Sequence, residues 1–175
     1  LKLNKKIKLK IFYIRNKNKL EQFVYKYKPS IIFHLAAQPL IIESYLNPQD
    51  TIDINIRGTL NILEVSRKFN FIKSVVLITS DKCYENIGKL KRYKEKDELG
   101  GIDPYSASKA SSEIIIRAYR ESFFKNKKNC GISSVRAGNV IGGGDWSSKR
   151  LIPDCIKSLL KNKLIYLRNP NFNRP

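Results

Sequence analysis

Methionine is absent from the 175 residues, histidine and tryptophan occur once each, and cysteine three times. Each shortage excludes something. With Leu1 first and no methionine, the expectation is the middle of a longer protein. A single histidine, His34, makes neither a Ser-His-Asp triad nor a histidine-rich metal cluster, and its apolar neighbours Ile31, Ile32, Phe33 and Leu35 favour a structural role. Cys83, Cys130 and Cys155 are odd in number, far apart and without a C-x-x-C pair. That spacing argues against a disulfide framework and a zinc site, so no metal is expected, and it fits a reducing cytoplasm. No apolar run of about 18 residues exists, which excludes a membrane span. The Lys-rich start has no apolar core behind it, so no secretory signal is read there.

Acidic residues are also scarce: 15 against 34 basic ones, a formal net charge of +19. Residues 1–28 hold ten of the basic residues and one Glu. Such an excess attracts polyanions. No zinc-finger spacing, RNP-like aromatic motif or uninterrupted basic block accompanies it, so a Lys-rich solvated surface is expected and no specific nucleic-acid partner. A content of 42% hydrophobic and 28% charged residues is that of a folded globular chain.

The pattern of what is present alternates strand with helix. Lys8 to Ile14 is β-prone, and Leu20, Phe23, Val24 and Tyr27 recur at helical spacing before Pro29. Ile31 to Leu35 reads as a strand buried on both faces, followed by a helix over about Asp53 to Phe69 and a buried strand over Ser74 to Thr79. The polar stretch from Ser80 to Pro104 is too long for a bare connection, and long loops in compact domains are usually functional. A helix over Tyr105 to Phe124, a strand over Ile132 to Val135, a Gly-rich loop over Gly138 to Asp145 and a helix over Leu151–Leu160 complete the chain. This is the α/β pattern of a doubly wound parallel sheet, Rossmann-like. Ligands of such sheets bind beyond the carboxyl ends of the strands. Ala36-Ala37-Gln38, Ser80-Asp81-Lys82 and Arg136 to Asp145 are therefore expected to line one crevice.

Tyr105 and Lys109 stand at i and i+4 at a helix start, on one face. An ammonium there stabilises a phenolate and suits Tyr105 to act as a general base on a hydroxyl. Tyr-x-x-x-Lys alone is a weak signal. Its company is stronger: HLAAQ at His34–Gln38, TSDKCY at Thr79–Tyr84, DPYSASK at Asp103–Lys109, SVRAGNVIGGGDW at Ser134–Trp146 and RLIPDC at Arg150–Cys155. Together and in this order they resemble the extended short-chain dehydrogenases/reductases and, more narrowly, the CDP-glucose 4,6-dehydratases.

That resemblance implies tightly bound NAD used without net oxidation. It makes Tyr105 the base on the sugar 4-hydroxyl and Ser80 a hydrogen-bond partner of the 4-oxygen. Asp81 becomes the acid for the departing 6-hydroxyl and Lys82 the base at carbon 5; epimerases of the superfamily have no such acid–base pair. Lys109 contacts the nicotinamide ribose, and small Ala36 and Ala37 let the backbone approach the cofactor. Ile14, Leu35, Thr79, Tyr105 and Arg136 join the cofactor set, and Gln38, Ser80 and Asn139 the substrate set, the substrate being CDP-glucose. Asn55 is read as a structural tie between loops, and Gly142-Gly143-Gly144 as either a flexible turn or a backbone surface near phosphate. The helices around Asp53 and Tyr105 would form a four-helix homodimer interface. No G-x-x-G-x-x-G loop occurs, Tyr13 stands where the family has Asp, and Ile42 and Glu43 stand where it tends to have Arg. The expected domain organisation is thus one partial NAD-binding unit over 1–175 that ends where a substrate domain begins. Three readings follow: a cytoplasmic CDP-glucose dehydratase of deoxysugar and lipopolysaccharide biosynthesis, a related nucleotide-sugar dehydratase or epimerase, and an inactive remnant whose basic stretch binds polyanions non-specifically.

Overall fold

Three short β-branched segments form the sheet of the computed structural model, which describes residues 7–86, 92–126, 130–168 and 170. Strands β1 (Ile31–His34), β2 (Ser74–Ile78) and β3 (Gly131–Val135) lie parallel in the order β1-β2-β3. Val75 is the register partner of both Ile32 and Ile132. Parallel neighbours need a crossover. The first runs through α2 (Ile41–Leu46), α3 (Pro48–Ile52), a π-turn (Asp53–Arg57) and α4 (Gly58–Lys68). The second runs through a 3-10 turn (Asp81–Cys83), α5 (Pro104–Tyr119) and a second π-turn (Arg120–Phe124). Before the sheet stands α1 (Lys17–Tyr27), and after it α6 (Leu151–Leu160).

The helices α1, α4 and α5 cover one face of the sheet. Leu20 and Val24 of α1, Ile62, Leu63 and Val65 of α4 and Ile116 of α5 pack there with Val75, Leu77 and Ile132. Asn16 caps α1 by accepting from the Lys19 amide at 3.0 Å, and α1 ends at Lys28 in the left-handed region, with Pro29 next. Gly58 is needed for close approach, because a Cβ there would lie 3.0 Å from Ile14 Cγ2.

Two expectations change. Ile31, Phe33 and Leu35 are 53%, 64% and 69% exposed, so β1 is buried on one face only. Nothing among the described residues packs on the outer side of β1, and its far edge has no ladder partner. Lys8 to Ile14 keeps a two-residue alternation, with Phe12 and Ile14 against the core and Leu9, Ile11 and Tyr13 outward, yet forms no strand. Its end is held instead by α4, where the Asn61 amide donates to the carbonyls of Ile14 and Arg15. The architecture is a Rossmann-type parallel sheet in incomplete form. No helix among the described residues is long and apolar enough to cross a membrane.

Candidate active site

The carboxyl ends of the three strands converge with the start of α5. Asp103 caps α5: one carboxylate oxygen accepts from the Ser106 amide at 2.9 Å and the other from the Ser106 hydroxyl at 2.5 Å. With Pro104 in its first turn, the helix starts with Tyr105 directed inward, 9% exposed. Lys109, one turn on, is 6% exposed, with Nζ 3.4 Å from the Ile78 carbonyl and 6.0 Å from the centre of the Tyr105 ring. Burial pulls the Lys109 ammonium below its usual pKa.

Beyond β2, the Thr79 amide donates to Val135 O at 2.9 Å and the Asp81 amide to Ala137 O at 3.0 Å, which extends the β2–β3 pairing into the loops. Ser80, buried, accepts from the Lys82 amide at 3.2 Å and donates to Asp81 Oδ1 at 3.1 Å. It thereby caps the 3-10 turn that carries Asp81 and Lys82, both half-buried. The loop after β3 passes beside this turn: a Cβ on Gly138 would lie 3.9 Å from Asp81 Oδ2.

Beyond β1, Asn55 in the first π-turn ties the loop to α5. Its amide donates to Gln38 O at 3.2 Å and to Ser108 Oγ at 2.9 Å, and its oxygen accepts from the Gln38 amide at 2.9 Å. The Gln38 side chain turns back onto its own loop, donating to Thr51 Oγ1 at 2.7 Å and accepting from the Leu40 amide. Leu35 and Ala36 are exposed and Ala37 is half-buried, so the backbone there is open to a ligand.

His34 lies beneath this site, 5% exposed; burial, helped by the Lys109 charge, pushes its pKa down to about 4. Cys83 is fully buried and its thiol is pushed up to about 12, chiefly by burial, which disfavours a thiolate nucleophile.

A model of the GDP-mannose 4,6 dehydratase family matches residues 1–170. The chain belongs to this family. The CDP-glucose 4,6-dehydratase of Salmonella typhimurium is 45% identical over 179 residues, covering all of this chain and 50% of that relative. The CDP-paratose 2-epimerase of Salmonella typhi is 32% identical, over 65% of this chain and 38% of that protein. The chain thus spans half or less of the length of these curated relatives. Among solved structures, the dTDP-glucose 4,6-dehydratase of Bacillus anthracis in complex with NAD aligns at a TM-score of 0.69 and 27% identity, over 88% of this chain and 44% of that one. The UDP-glucose 4-epimerase of Thermotoga maritima aligns at a TM-score of 0.76 but only 22% identity, over 87% and 48%, and speaks for the fold alone.

Within this member of the GDP-mannose 4,6 dehydratase family, the residues singled out from the sequence separate into groups. Thr79, Ser80, Tyr105 and Lys109 are buried where β2 meets α5, with Asp81 and Lys82 beside them. Asn139 is exposed on the loop after β3, whereas Ile14 packs against Gly58 and the core. The Arg136 guanidinium is 2.9 Å from Glu113 Oε2 and 3.0 Å from the Glu95 carbonyl, and stacks on the Tyr84 ring at 4.9 Å. Glu113 was not among the residues read from the sequence. The signal for it was there: Tyr105, Lys109 and Glu113 recur at i, i+4 and i+8 along one face of α5.

Proposed function

We propose that the chain is the cofactor-facing part of an NAD-dependent, cytoplasmic nucleotide-sugar hydro-lyase, which converts CDP-glucose to CDP-4-keto-6-deoxyglucose in deoxysugar biosynthesis. The observation that carries this reading is the Asp81–Lys82 pair, set directly after buried Ser80 and beside the Tyr105–Lys109 face. Elimination of water across carbons 5 and 6 needs one proton donor and one acceptor flanking that bond. Identity of 45% to a CDP-glucose 4,6-dehydratase over the full chain supports the choice of sugar nucleotide.

The open backbone at Ala36 and the buried Lys109 beside Tyr105 fit the nicotinamide end of NAD. NAD, when bound, supplies a hydride acceptor for carbon 4 and a hydride donor for carbon 6. Tyr105 takes the 4-hydroxyl proton while Ser80 bonds the 4-oxygen, and the Lys109 ammonium stabilises the negative charge on the Tyr105 oxygen. Lys82 takes the carbon 5 proton, and Asp81 gives a proton to the departing 6-hydroxyl, so that one water leaves and no net oxidation results. Thr79, Leu35, Ala37, Arg136 and Ile14 are assigned to the cofactor side, and Gln38 and Asn139 to the sugar nucleotide. α4 and α5 are assigned to a homodimer interface, for which half-exposed Ile114 and Phe123 are available.

The test is a chimera in which residues 1–175 replace the matched half of the Salmonella typhimurium enzyme. With CDP-glucose and NAD it should form the 4-keto-6-deoxy product. The 175-residue chain alone, having no G-x-x-G-x-x-G loop, should not. In the chimera Lys82→Ala should lower turnover by about 10²- to 10⁴-fold and suppress solvent deuterium uptake at carbon 5, while Tyr105→Phe should abolish the first oxidation. Full deuterium exchange in the Lys82 variant would remove Lys82 from its role.

A further inference from the structure

The residue that gathers the site together has so far been mentioned only in passing. Glu113 is 4% exposed, and its carboxylate reaches both strands that frame the site. Oε1 accepts from the Thr79 hydroxyl at 2.5 Å, on the residue before Ser80. Oε2 accepts from the Ser134 hydroxyl at 3.1 Å and pairs with the Arg136 guanidinium at 2.9 Å, at the end of β3. Arg136 passes the link on to the Tyr84 ring, which is stacked on Tyr93 at 4.6 Å. Glu113 therefore sits on the Tyr105–Lys109 face of α5 and holds that face against the ends of β2 and β3. A buried carboxylate with every bond made to a strand end is costly unless its pairing is complete, and here it is.

We propose that Glu113 is a positioning residue of the crevice: its charge, divided between Thr79 and the Ser134–Arg136 pair, sets the distance of Ser80 from Tyr105. This deepens the dehydratase reading and rests on it. Bound reactants tolerate little displacement, and about 1 Å costs up to about 10²-fold in rate. Glu113→Gln keeps the shape and a hydrogen-bonding group but removes the charge facing Arg136. A role in folding alone would lower the folded fraction and leave each folded molecule fully active.

Two measurements decide. In the chimera, kcat per folded molecule of Glu113→Gln should fall about 10- to 10²-fold with KM within about twofold. In the 175-residue chain, amide exchange at Thr79 and Asp81, which donate to Val135 and Ala137, should speed up about tenfold while the α1 amides stay unchanged. If Glu113→Gln does not fold, Ser134→Ala removes one arm and keeps the charge, and the same two readouts should move in the same direction by a smaller factor. Unchanged kcat per folded molecule, or exchange that accelerates equally in α1, overturns the proposal. If the chimera is inactive with Glu113 intact, the dehydratase reading falls, and the exchange pattern alone confirms or refutes the positioning role.

Discussion

The two faces of the sheet are built from similar residues and hold very different amounts of structure. On the covered face, Val75, Leu77 and Ile132 are at most 7% exposed beneath α1, α4 and α5. On the other, Ile31, Phe33 and Val135 are 43–64% exposed. The strand residues are β-branched or aromatic on both sides, so intrinsic preference does not separate the faces. What separates them is what lies above each. The covered face also carries the charged clamp at Glu113 and the only histidine, so the packed core and the candidate chemistry share one layer.

Removing the clamp should break this contrast most strongly. Glu113→Ala leaves Arg136 buried without its partner and should cost about 3–5 kcal/mol of unfolding free energy in a urea titration. Leu63→Ala, at a site with no exposure, should cost about 2–5 kcal/mol, the range for a core cavity. His34 gives a smaller, pH-dependent effect. Its folded pKa, pushed down to about 4 from 6.5, means that the unfolded chain binds the proton first as pH falls. The stability it contributes is whole above pH 6.5 and lost at about 1.4 kcal/mol per pH unit down to about 4. His34→Gln should flatten that segment of the stability–pH curve, read by thermal melts at several pH values. Phe33→Ser on the open face should change stability least, within about 0.5 kcal/mol, and a loss as large as that of Leu63→Ala would show that this face is covered in solution.

Much of the fold was legible because it rests on periodicity and punctuation. The spacing of Leu20, Phe23, Val24 and Tyr27, closed by Pro29, marks α1, and Leu151–Leu160 marks α6 with the same bounds. Strands β2 and β3 agree with their apolar runs within a residue. The crevice too was legible, since topology alone places Ser80 and Arg136 at strand ends. The failures have a common physical cause: they depend on neighbours distant in sequence. Ile31 to Leu35 has the composition of a doubly buried strand, but burial requires a second layer. Lys8 to Ile14 has a strand's alternation, but a strand requires a ladder partner. Arg136 was assigned to the cofactor because nothing local reveals that Glu113, 23 residues earlier, claims its guanidinium.

The π-turn at Asp53–Arg57 has a consequence for how chains of this kind can diverge. It packs an additional residue into a helical turn between Pro48 and Lys68, and Asn55 at its centre bonds both Gln38 and Ser108. Deleting one residue here would let the helix relax to regular winding, but everything beyond it would rotate by about 100°. Ile62, Leu63 and Val65 would swing off the sheet, or Asn55 would leave the site. Substitution along this stretch can be gradual, whereas a change of length cannot, so insertions and deletions among descendants should fall elsewhere in the crossover.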